Sequence, residues 1–556
     1  MRNRKKVGLL IDSIQVSKQI NDLINLSVDS DNYEITTLII NSKKASPIYL
    51  FTKSINIIKK RGFKSFFSWL FFKSIYLLER KLVSHLKNFK NVFDKINLSE
   101  RDFEIIKVNP VISESGFVYR YDEFDIKKIK EVNLDLVVRG GSGILRGDIL
   151  TVCPNGVISF HHADNNINRG SPPGFWEVYN RQPKTGFIIQ RLKDELDGGD
   201  VLFKGFIRTS LIYSLNLAKL LEISNPYFHK VLEDITSNSS IYNIQRKIPY
   251  GFPLYKTPNI SQTLNYVCKT FNLLFLKVFR KLIGNYPRWG VAYQFTSTWE
   301  DVALWRSNKI PNPKNRFLAD PFIIKRNNIH YCFVEDYDFL KRKGCISVYE
   351  INKDFSKEIG VALLEDFHIS YPFLFVYEEE LFMCPETKQK GEIRLYRCIE
   401  FPLKWEFYKT IMRDVNAVDS SIFYKDKKWW LLTNLSLESK YGFENQLNVF
   451  YSNSPLSDMW IPHEKNPVIF DPLKSRNGGL IVDENEIYRV YQRNGFNKYG
   501  EAFGVAKIAH LDSRSYVEKD LFEIEPNFFN SLIGTHTYNY VDGLIVFDYL
   551  KNQKIN

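Results

Sequence analysis

An internal repeat in the second half of the chain constrains its fold more than any other feature. Each copy has a polar or aromatic start, an apolar strand, a charged turn and a second apolar strand, and the copies align without gaps. They begin at Asp320, Tyr371, Asp419 and Asn477, with a shorter fifth copy at His536–Tyr549. Hairpins repeated about fifty residues apart are typical of a β-propeller, whose blades surround a central channel. We predict five blades, with Val291–Thr296 completing the last one.

The first half of the chain has a different pattern. An apolar run at Val7–Ile11 predicts a buried strand, Ser17–Leu26 a helix and Tyr33–Ile40 the next strand. This alternation predicts an α/β domain with a doubly wound, mostly parallel sheet, whose sites lie at the carboxyl ends of its strands. Because no Gly-x-Gly-x-x-Gly follows the first strand, a dinucleotide site is not expected.

The domain boundaries follow from these two patterns. We predict an α/β domain at 1–255 with a basic helical insertion at 52–90, a helical linker at 256–288, and an all-β five-bladed propeller at 289–556. The 6 cysteines include no Cys-x-x-Cys pair and no His-rich cluster, so neither disulfides nor a metal site are expected. This cysteine usage favours a cytoplasmic location.

The insertion at 52–90 is strongly basic, with ten Lys or Arg residues against the single acid Glu79. Its longest uncharged run, Ser65–Phe72, is far shorter than the ~20 residues of a membrane-spanning helix. A basic helix with Phe, Trp and Leu on one side is suited to the interface of an anionic bilayer. Packing of its aromatic residues against the domain's own sheet is an equally simple interpretation. Nucleic acid is the third interpretation and the least expected partner.

Residues 156–200 carry the pattern that points to chemistry. The apolar run Val157–Phe160 delivers His161 and His162 into a polar loop, and a later amphipathic run ends in Leu196-Asp197-Gly198-Gly199-Asp200. A histidine at a strand end and a carboxylate in a later Gly-rich turn are suited to act as a base and the group that orients it.

This stretch resembles the catalytic core of the N10-formyltetrahydrofolate-dependent formyltransferases, which include the methionyl-tRNA, glycinamide ribonucleotide and sugar N-formyltransferases. The family pattern is Asn-x-His, then Arg-Gly and Pro, then Thr-Gly and Leu-Asp-x-Gly. The matching positions are His161, Arg169-Gly170, Pro173, Thr185-Gly186 and Leu196-Asp197-Gly198-Gly199. The resemblance covers residues 1–210 and implies N10-formyltetrahydrofolate as formyl donor, with His161 and Asp197 catalytic.

One position departs from the family pattern. The family asparagine is Ser159 here, and a hydroxyl is a shorter donor toward a developing oxyanion than an amide. We predict Ser159 as an auxiliary donor, with no metal in the mechanism. His162, Asp164 and Asn166 either contact substrate or cap their loop.

The resemblance also predicts a folate pocket. In the family, the loop after the strand at Asp135–Val138 contributes to this pocket, largely through backbone groups. The residues assigned to the donor are Gly140, Gly141, Gly143, Leu145 and Asp200.

The propeller half resembles the glycoside hydrolase 43-like superfamily, and more closely the N-terminal domain of plant glucosamine inositolphosphorylceramide transferases. The resemblance rests on Ala319-Asp320-Pro321-Phe322, Pro372-Phe373, Pro385-Glu386, Asp419 and Trp429-Trp430. It implies that Asp320 is a base and Asp419 a modulator of glycoside hydrolysis. The fourth copy has Ser475-Arg476-Asn477-Gly478 where a general acid is expected, and Glu335 and Glu386 are the remaining carboxyl candidates. We therefore expect glycan binding, through Asp320, Glu386 and Asp419, or a structural role rather than hydrolysis.

Together these patterns predict a formyltransferase that acts on the amine of an amino sugar in cell-surface glycan biosynthesis. The acceptor is nucleotide- or lipid-linked, and the enzyme is cytoplasmic or peripheral at the inner membrane face through 52–90. Two alternatives stay open. The first domain is a degenerate formyltransferase in a glycan-binding scaffold, or the protein is a propeller glycosidase with an accessory α/β domain.

Overall fold

The computed structural model describes residues 4–42, 47–114, 116–195, 199–237, 249–436 and 442–554. The chain divides into two compact units, Met1–Asn272 and Leu273–Asn556. Each unit has its own sheets and its own apolar core.

The first unit is built on a seven-stranded sheet of order β7-β6-β5-β4-β1-β2-β3. Its strands are β1 Lys5–Ile11, β2 Tyr33–Asn41, β3 Glu104–Val108, β4 Leu136–Arg139, β5 Val157–His161, β6 Lys184–Arg191 and β7 Asp200–Arg208. Strands β1 to β5 run parallel to one another. Strand β6 pairs antiparallel with β5, and β7 pairs antiparallel with β6. The predicted mostly parallel α/β sheet is confirmed.

The described residues contain six α-helices. Five belong to the first unit, and the last one crosses the boundary between the two units. The helices are α1 Lys18–Val28, α2 Pro47–Ser84, α3 Glu123–Glu131, α4 Phe175–Tyr179, α5 Tyr213–Thr236 and α6 Ile260–Leu282. Helix α1 begins where predicted because the Ser17 hydroxyl caps the Ile20 amide. Short strands pair Gln15–Ser17 with Lys95–Asn97, and the segments Val111–Ile112, Val118–Arg120 and Ile144–Leu145 form a small sheet.

Helix α5 contains a proline in its interior. It continues through Pro226 to Thr236, although a proline removes a helical hydrogen bond. Tyr227 and Phe228, which follow the proline, are fully buried. Burial of such side chains outweighs the loss of one helical hydrogen bond at the proline.

The basic insertion is a single long helix, α2. Phe72 is buried and packs edge-on against Phe175, while Tyr76 packs on Tyr213 of α5. The carboxylate of Glu79 accepts hydrogen bonds from the Ser214 amide and from the Tyr266 hydroxyl of α6. One side of α2 therefore packs on its own domain.

The second unit contains five antiparallel sheets in the described residues. Its main strands are β8 Asn285–Phe295, β9 Arg316–Arg326, β10 Ile329–Asp338, β11 Lys343–Ile351, β12 Ser356–Leu363, β13 Ser370–Tyr377, β14 Glu380–Glu386, β15 Glu392–Glu400, β16 Lys404–Arg413, β17 Val418–Lys425, β18 Lys428–Asn434, β19 Gln446–Ser452, β20 Arg476–Asp483, β21 Glu486–Gly495, β22 Lys498–Leu511, β23 Tyr516–Ile524, β24 Tyr538–Val541 and β25 Leu544–Lys554. Short edge strands lie at Asn308–Lys309, Ile461–Pro462, Ile469–Phe470 and Leu532–Gly534. Strands β9–β12 form blade 1, β13–β16 blade 2, β17–β19 blade 3 and β20–β23 blade 4.

The fifth blade joins the two ends of the unit. Strand β8 pairs antiparallel with β25 along its whole length, and β24 completes the hairpin with β25. The first strand of each blade contacts the first strand of the next, and β24 contacts both β9 and β20, so the ring is closed. The structure is thus a five-bladed propeller, as the repeat predicted.

The hairpin turns explain why the repeat is gapless. Both central turn residues have positive φ in every blade: Asn327 and Asn328, Glu378 and Glu379, Asp426 and Lys427, Glu484 and Asn485, and Asp542 and Gly543. Two successive residues with positive φ make the tight turn that matches the twist of paired strands. No helix in the described part of the chain is long and apolar enough to cross a membrane.

A buried ion pair in blade 4 provides a test of the propeller's stability. Arg489 is fully buried and binds Glu518 through two hydrogen bonds of 2.5 and 3.0 Å. Arg489→Met leaves the Glu518 carboxylate buried without its main partner, so we expect a loss of about 3–5 kcal/mol in the free energy of unfolding. Denaturant unfolding monitored by tryptophan fluorescence measures this loss.

Lys404→Met is the matched control, because its pair with Glu400 spans 3.9 Å between highly exposed side chains. We expect no measurable change for the control. Equal effects of the two variants would contradict this account of the buried pair.

Candidate active site

The carboxyl ends of β4 and β5 meet at one edge of the sheet. The two strands are parallel neighbours, and Arg139 at the end of β4 lies opposite Ser159 in β5. His161 is the last residue of β5, and the loop 140–143 follows β4. The predicted base and the predicted donor loop therefore lie at the same edge.

The ring of His161 is oriented by the loop that follows it. Its Nε2 atom lies 3.0 Å from the main-chain oxygen of Asn168. A carbonyl only accepts, so Nε2 carries the proton and Nδ1 is the ring atom that accepts one in the neutral imidazole. The Asn168 carbonyl thus determines which ring nitrogen of the neutral imidazole can act as a base, namely Nδ1.

Asn168 connects His161 to a buried carboxyl group. Its side chain accepts from the Gly170 amide at 2.9 Å and donates to Glu177 at 3.3 Å, and both Asn168 and Glu177 are buried. Burial raises the pKa of Glu177 to about 7, although the Asn168 hydrogen bond opposes that rise. A chain of hydrogen bonds therefore runs from Glu177 to the imidazole of His161.

Ser159 is held differently from the prediction. Its buried hydroxyl accepts from Arg139 Nη1 at 3.2 Å and donates to the Phe160 carbonyl at 3.1 Å. The Arg139 guanidinium also donates to the carbonyl of Gly143. The Ser159 proton is therefore already donated to a carbonyl. The cation that contacts this hydroxyl, Arg139, lies beside the position that asparagine occupies in the family.

The segment 250–255, called the strap below, packs against the Arg169-Gly170 pair of the motif. A Cβ at Gly170 would overlap the main chain of Tyr255, whose carbonyl accepts from the Ser171 amide at 3.1 Å. The Arg169 guanidinium donates to the Asn165 carbonyl and stacks on Tyr250 at 4.6 Å. Arg169 thus braces the loop, and Gly170 permits the close approach of the strap.

Asp12 fixes the predicted donor loop, residues 140–143, through its side chain. Its carboxylate accepts from the Ser142 amide at 2.8 Å and from Asn41 at 3.1 Å. Gly143 has φ of 94° and lies against the Tyr119 ring, where a Cβ has no space. Leu145 points into the core beside Tyr119, so only its main chain is available for a ligand.

The remaining predicted residues of the first unit have partners within the fold. His162 stacks on Phe160, and its Nε2 lies 3.1 Å from Gln19 and 3.3 Å from Ser224. Burial, reinforced by His161, lowers the pKa of His162 to about 3, so it is neutral.

Two predicted carboxylates of this unit form ion pairs. Asp164 accepts from Lys204 at 2.7 Å and from the Asn166 amide at 2.9 Å. Asp200 accepts from Lys193 at 2.6 Å. Asp164 therefore caps its loop, which is one of the two predicted roles. Asp197, the predicted orienting carboxylate, lies outside the described residues.

The propeller has a polar centre at the start of its inner strands. Asp320 Oδ1 lies 3.6 Å from His536 Nε2, and His536 Nδ1 lies 2.5 Å from Asp548 Oδ2. The His536 ring stacks on Trp289 at 4.0 Å. In the described residues, the side chains of Asp320, His536 and Asp548 have polar atoms that all lie within 4.8 Å of one another, and the two carboxyls raise the pKa of His536.

The other two predicted propeller carboxyls lie close enough to Asp320 to affect its charge. Asp419 Oδ2 binds Arg476 Nε at 2.5 Å and Gln492 Nε2 at 3.1 Å. Burial, together with repulsion from Asp419, raises the pKa of Asp320 to about 7 and that of Glu386 to about 8. The structure thus brings Asp320, Asp419 and Glu386 into one electrostatic group.

Several residues in these centres were not predicted. Arg139, Asn168 and Glu177 join the His161 network, and Arg476 and His536 join the propeller centre. Three of them had a sequence signal. Arg476 occupies the position where a general acid was expected in the fourth repeat, His536 begins the fifth copy, and Glu177 follows the Pro-Gly turn of the motif, where it either lines the acceptor side or packs on the sheet.

The raised pKa of Glu177 makes stability depend on pH. Its pKa of about 7 exceeds its ordinary value of 4.5, so the fold prefers the neutral acid. This contribution is complete below pH ~4.5 and is lost as pH rises to about 7. We expect the free energy of unfolding to fall by ~3 kcal/mol over that interval, and Glu177→Gln to remove this fall.

Calorimetric unfolding between pH 4.5 and 7.5 measures the difference between the parent and the variant. Glu195→Gln, on the same unit's surface, controls for loss of a carboxylate. Identical pH profiles for the parent and Glu177→Gln would contradict the assignment.

Comparisons with known proteins agree with the two folds. Residues 302–541 match the family described as glucosamine inositolphosphorylceramide transferase 1, N-terminal. Glucosamine inositolphosphorylceramide transferase 1 of Arabidopsis thaliana is 36% identical over 219 residues, which cover 38% of this chain and 28% of that protein. The chain thus spans little more than a quarter of the length of this curated relative.

The first unit has its own relatives. Methionyl-tRNA formyltransferase of Buchnera aphidicola is 26% identical over 209 residues, covering 36% of this chain and 63% of that enzyme. Among solved structures, the propeller half is similar to an exo-1,5-alpha-L-arabinanase from a bovine ruminal metagenomic library, which covers 42% of this chain and 98% of its own, with 14% identity and a TM-score of 0.31. The chain therefore joins a formyltransferase-like α/β domain to a propeller that matches the family model described as glucosamine inositolphosphorylceramide transferase 1, N-terminal.

Proposed function

We propose that the first unit transfers a formyl group from N10-formyltetrahydrofolate to the amine of an amino sugar. The observation that carries this proposal is the placement of His161. It ends a parallel strand beside the loop 140–143, inside the formyltransferase motif, with its tautomer set by the Asn168 carbonyl. A positioned base at a strand end is what proton transfer from an attacking amine requires.

The donor fits the edge of the sheet where this base lies. The loop 140–143 carries only glycine and serine side chains, and Asp12 fixes it without blocking it. Gly140, Gly141, Gly143 and the main chain of Leu145 would hold the folate. Asp200 begins β7, three strands away from β4, so it is not part of this pocket. When bound, the folate supplies an activated formyl group.

The reaction that follows is balanced without a metal. The neutral amine attacks the formyl carbon, a new C–N bond forms, and the bond from that carbon to N10 breaks. His161 accepts the proton of the amine and returns it to the leaving nitrogen. Asn168 and Glu177 keep the imidazole in place while its charge changes.

We further propose that Arg139 stabilises the negative charge on the formyl oxygen. The family asparagine is Ser159 in this chain, and the hydroxyl of Ser159 accepts from the Arg139 guanidinium at 3.2 Å. A guanidinium donates charge-assisted hydrogen bonds, which are stronger than those of a neutral amide. Arg139 on the neighbouring strand β4 thereby compensates for the donor that is lost when serine replaces the family asparagine.

The propeller supports an amino sugar as the acceptor. Its curated relatives carry glucosamine in their names, and glucosamine has the free amine that formyl transfer needs. We propose a nucleotide- or lipid-linked amino sugar on the cytoplasmic side of the membrane. A glycan-binding propeller would deliver this class of acceptor.

Hydrolysis by the propeller is the weaker candidate. Arg476 binds the Asp419 carboxylate at 2.5 Å, and it stands where the fourth repeat would supply a general acid. Glycan binding through Asp320 and Glu386 is favoured, because one oxygen of the buried Asp320 carboxyl makes no hydrogen bond among the described residues.

The reaction is tested with radiolabelled N10-formyltetrahydrofolate and nucleotide-linked amino sugars as acceptors. We expect formyl transfer by the parent and a decrease in kcat of about 10²–10⁴-fold in His161→Ala, because the base is removed. Lys404→Met, at an exposed residue outside both centres, is the control and should keep transfer intact. Transfer that survives His161→Ala would overturn the role of His161.

The role of Arg139 is tested separately by a pair of substitutions. Arg139→Met should lower kcat by about 10²-fold, since one oxyanion donor is lost. Ser159→Asn in the Arg139→Met background should recover part of that loss, because it restores the family donor. Failure of this rescue in a well-folded double variant would contradict the exchange of donors.

A further inference from the structure

Helix α6 exposes an unusually apolar surface. Its buried residues are Thr263, Tyr266 and Thr270, which form one narrow stripe. The large apolar residues of the helix that are exposed are Ile260, Leu264, Phe271, Leu273, Leu274, Phe275, Leu276, Val278, Phe279 and Leu282. Phe271 is 68% exposed and Leu282 79%. A soluble helix normally buries such residues, so this surface indicates a partner.

The charges of α6 identify the kind of partner. The helix carries Lys269, Lys277, Arg280 and Lys281 and no acidic residue. Three of these cations interrupt the apolar run after Phe271, which suits a helix lying in the interface between lipid and water. Their side chains can reach the headgroups while the apolar surface contacts the acyl chains.

Helix α2 has the same character on the part that faces solvent. Phe63, Phe67, Leu78 and Leu82 are each more than half exposed. Glu79, its single acidic residue, is buried against the domain, where its carboxylate accepts a hydrogen bond from the Tyr266 hydroxyl. The carboxylate is therefore turned away from solvent, and the exposed charges of α2 are positive.

We propose that α6 docks on an anionic lipid bilayer through its exposed apolar surface, with α2 as a second basic and aromatic contact. A second copy of the chain is a poorer occupant, since pairing two α6 helices would bring their uncompensated lysines together. This proposal stands independently of formyl transfer. It is consistent with an acceptor that is attached to lipid.

Cys268 allows a direct test, because it is exposed on α6 while the other five cysteines are buried or partly buried. The full chain is labelled at Cys268 with an environment-sensitive nitrobenzoxadiazole dye, and Cys268→Ser controls for labelling elsewhere. Vesicles of phosphatidylcholine alone are compared with vesicles in which about a third of the lipid is anionic phosphatidylglycerol. Cosedimentation is measured in parallel.

We expect a blue shift of the dye and cosedimentation with the anionic vesicles only. Phe275→Glu with Phe279→Glu should lower vesicle binding at least ~10-fold, whereas Leu340→Glu, at a 79% exposed propeller residue, should not. Binding without a dye shift, or binding unchanged by the double substitution, would overturn the proposal. A dye shift that rises with protein concentration in the absence of lipid would assign the surface to a second copy instead.

Discussion

The candidate site depends on one hydrogen bond, from the imidazole Nε2 of His161 to the main-chain carbonyl of Asn168. This bond can form only because Asn168 is buried and fixed by Gly170 on one side and Glu177 on the other. Gly170 in turn needs its missing side chain, since Tyr255 occupies the space of a Cβ. The Arg-Gly pair of the motif is therefore part of the mechanism that orients the base, even though neither residue has to touch a substrate.

The propeller solves a different problem, which is how to keep several carboxyls buried in one place. Asp548 is paired with His536, and Asp419 is paired with Arg476. Burial raises the pKa of Glu386 to about 8, so this carboxyl is largely neutral at pH 7. Buried charges are costly unless they are compensated in this way. The ring of inner strands, closed by β8 and β25, holds these pairs in register.

Much of the fold was predictable because it depends on local patterns. Apolar alternation and charged turns fixed the hairpins of the propeller, and the run at Val157–Phe160 fixed the strand that ends in His161. The contacts that complete the site connect residues distant in sequence. Arg139 reaches Ser159 only because β4 and β5 are neighbours, and no spacing in the sequence encodes that pair.

The same limit applies to α5 and to the propeller centre. A proline disfavours the interior of a helix, but the burial of Tyr227 and Phe228 carries α5 past Pro226. His536 and Asp320 are more than two hundred residues apart and meet only through closure of the ring. Periodicity predicts such elements, whereas their tertiary pairing requires the assembled sheet.

Binding of the folate donor tests the central claim most directly. The purified chain would be titrated by calorimetry with 5-formyltetrahydrofolate, a stable analogue of the donor, alongside a variant in which Gly143 is replaced by valine. Our account predicts saturable binding by the parent and loss of binding in Gly143→Val, whose side chain has no space beside Tyr119. Absence of binding by well-folded parent protein would contradict the assignment of the first unit as a formyltransferase.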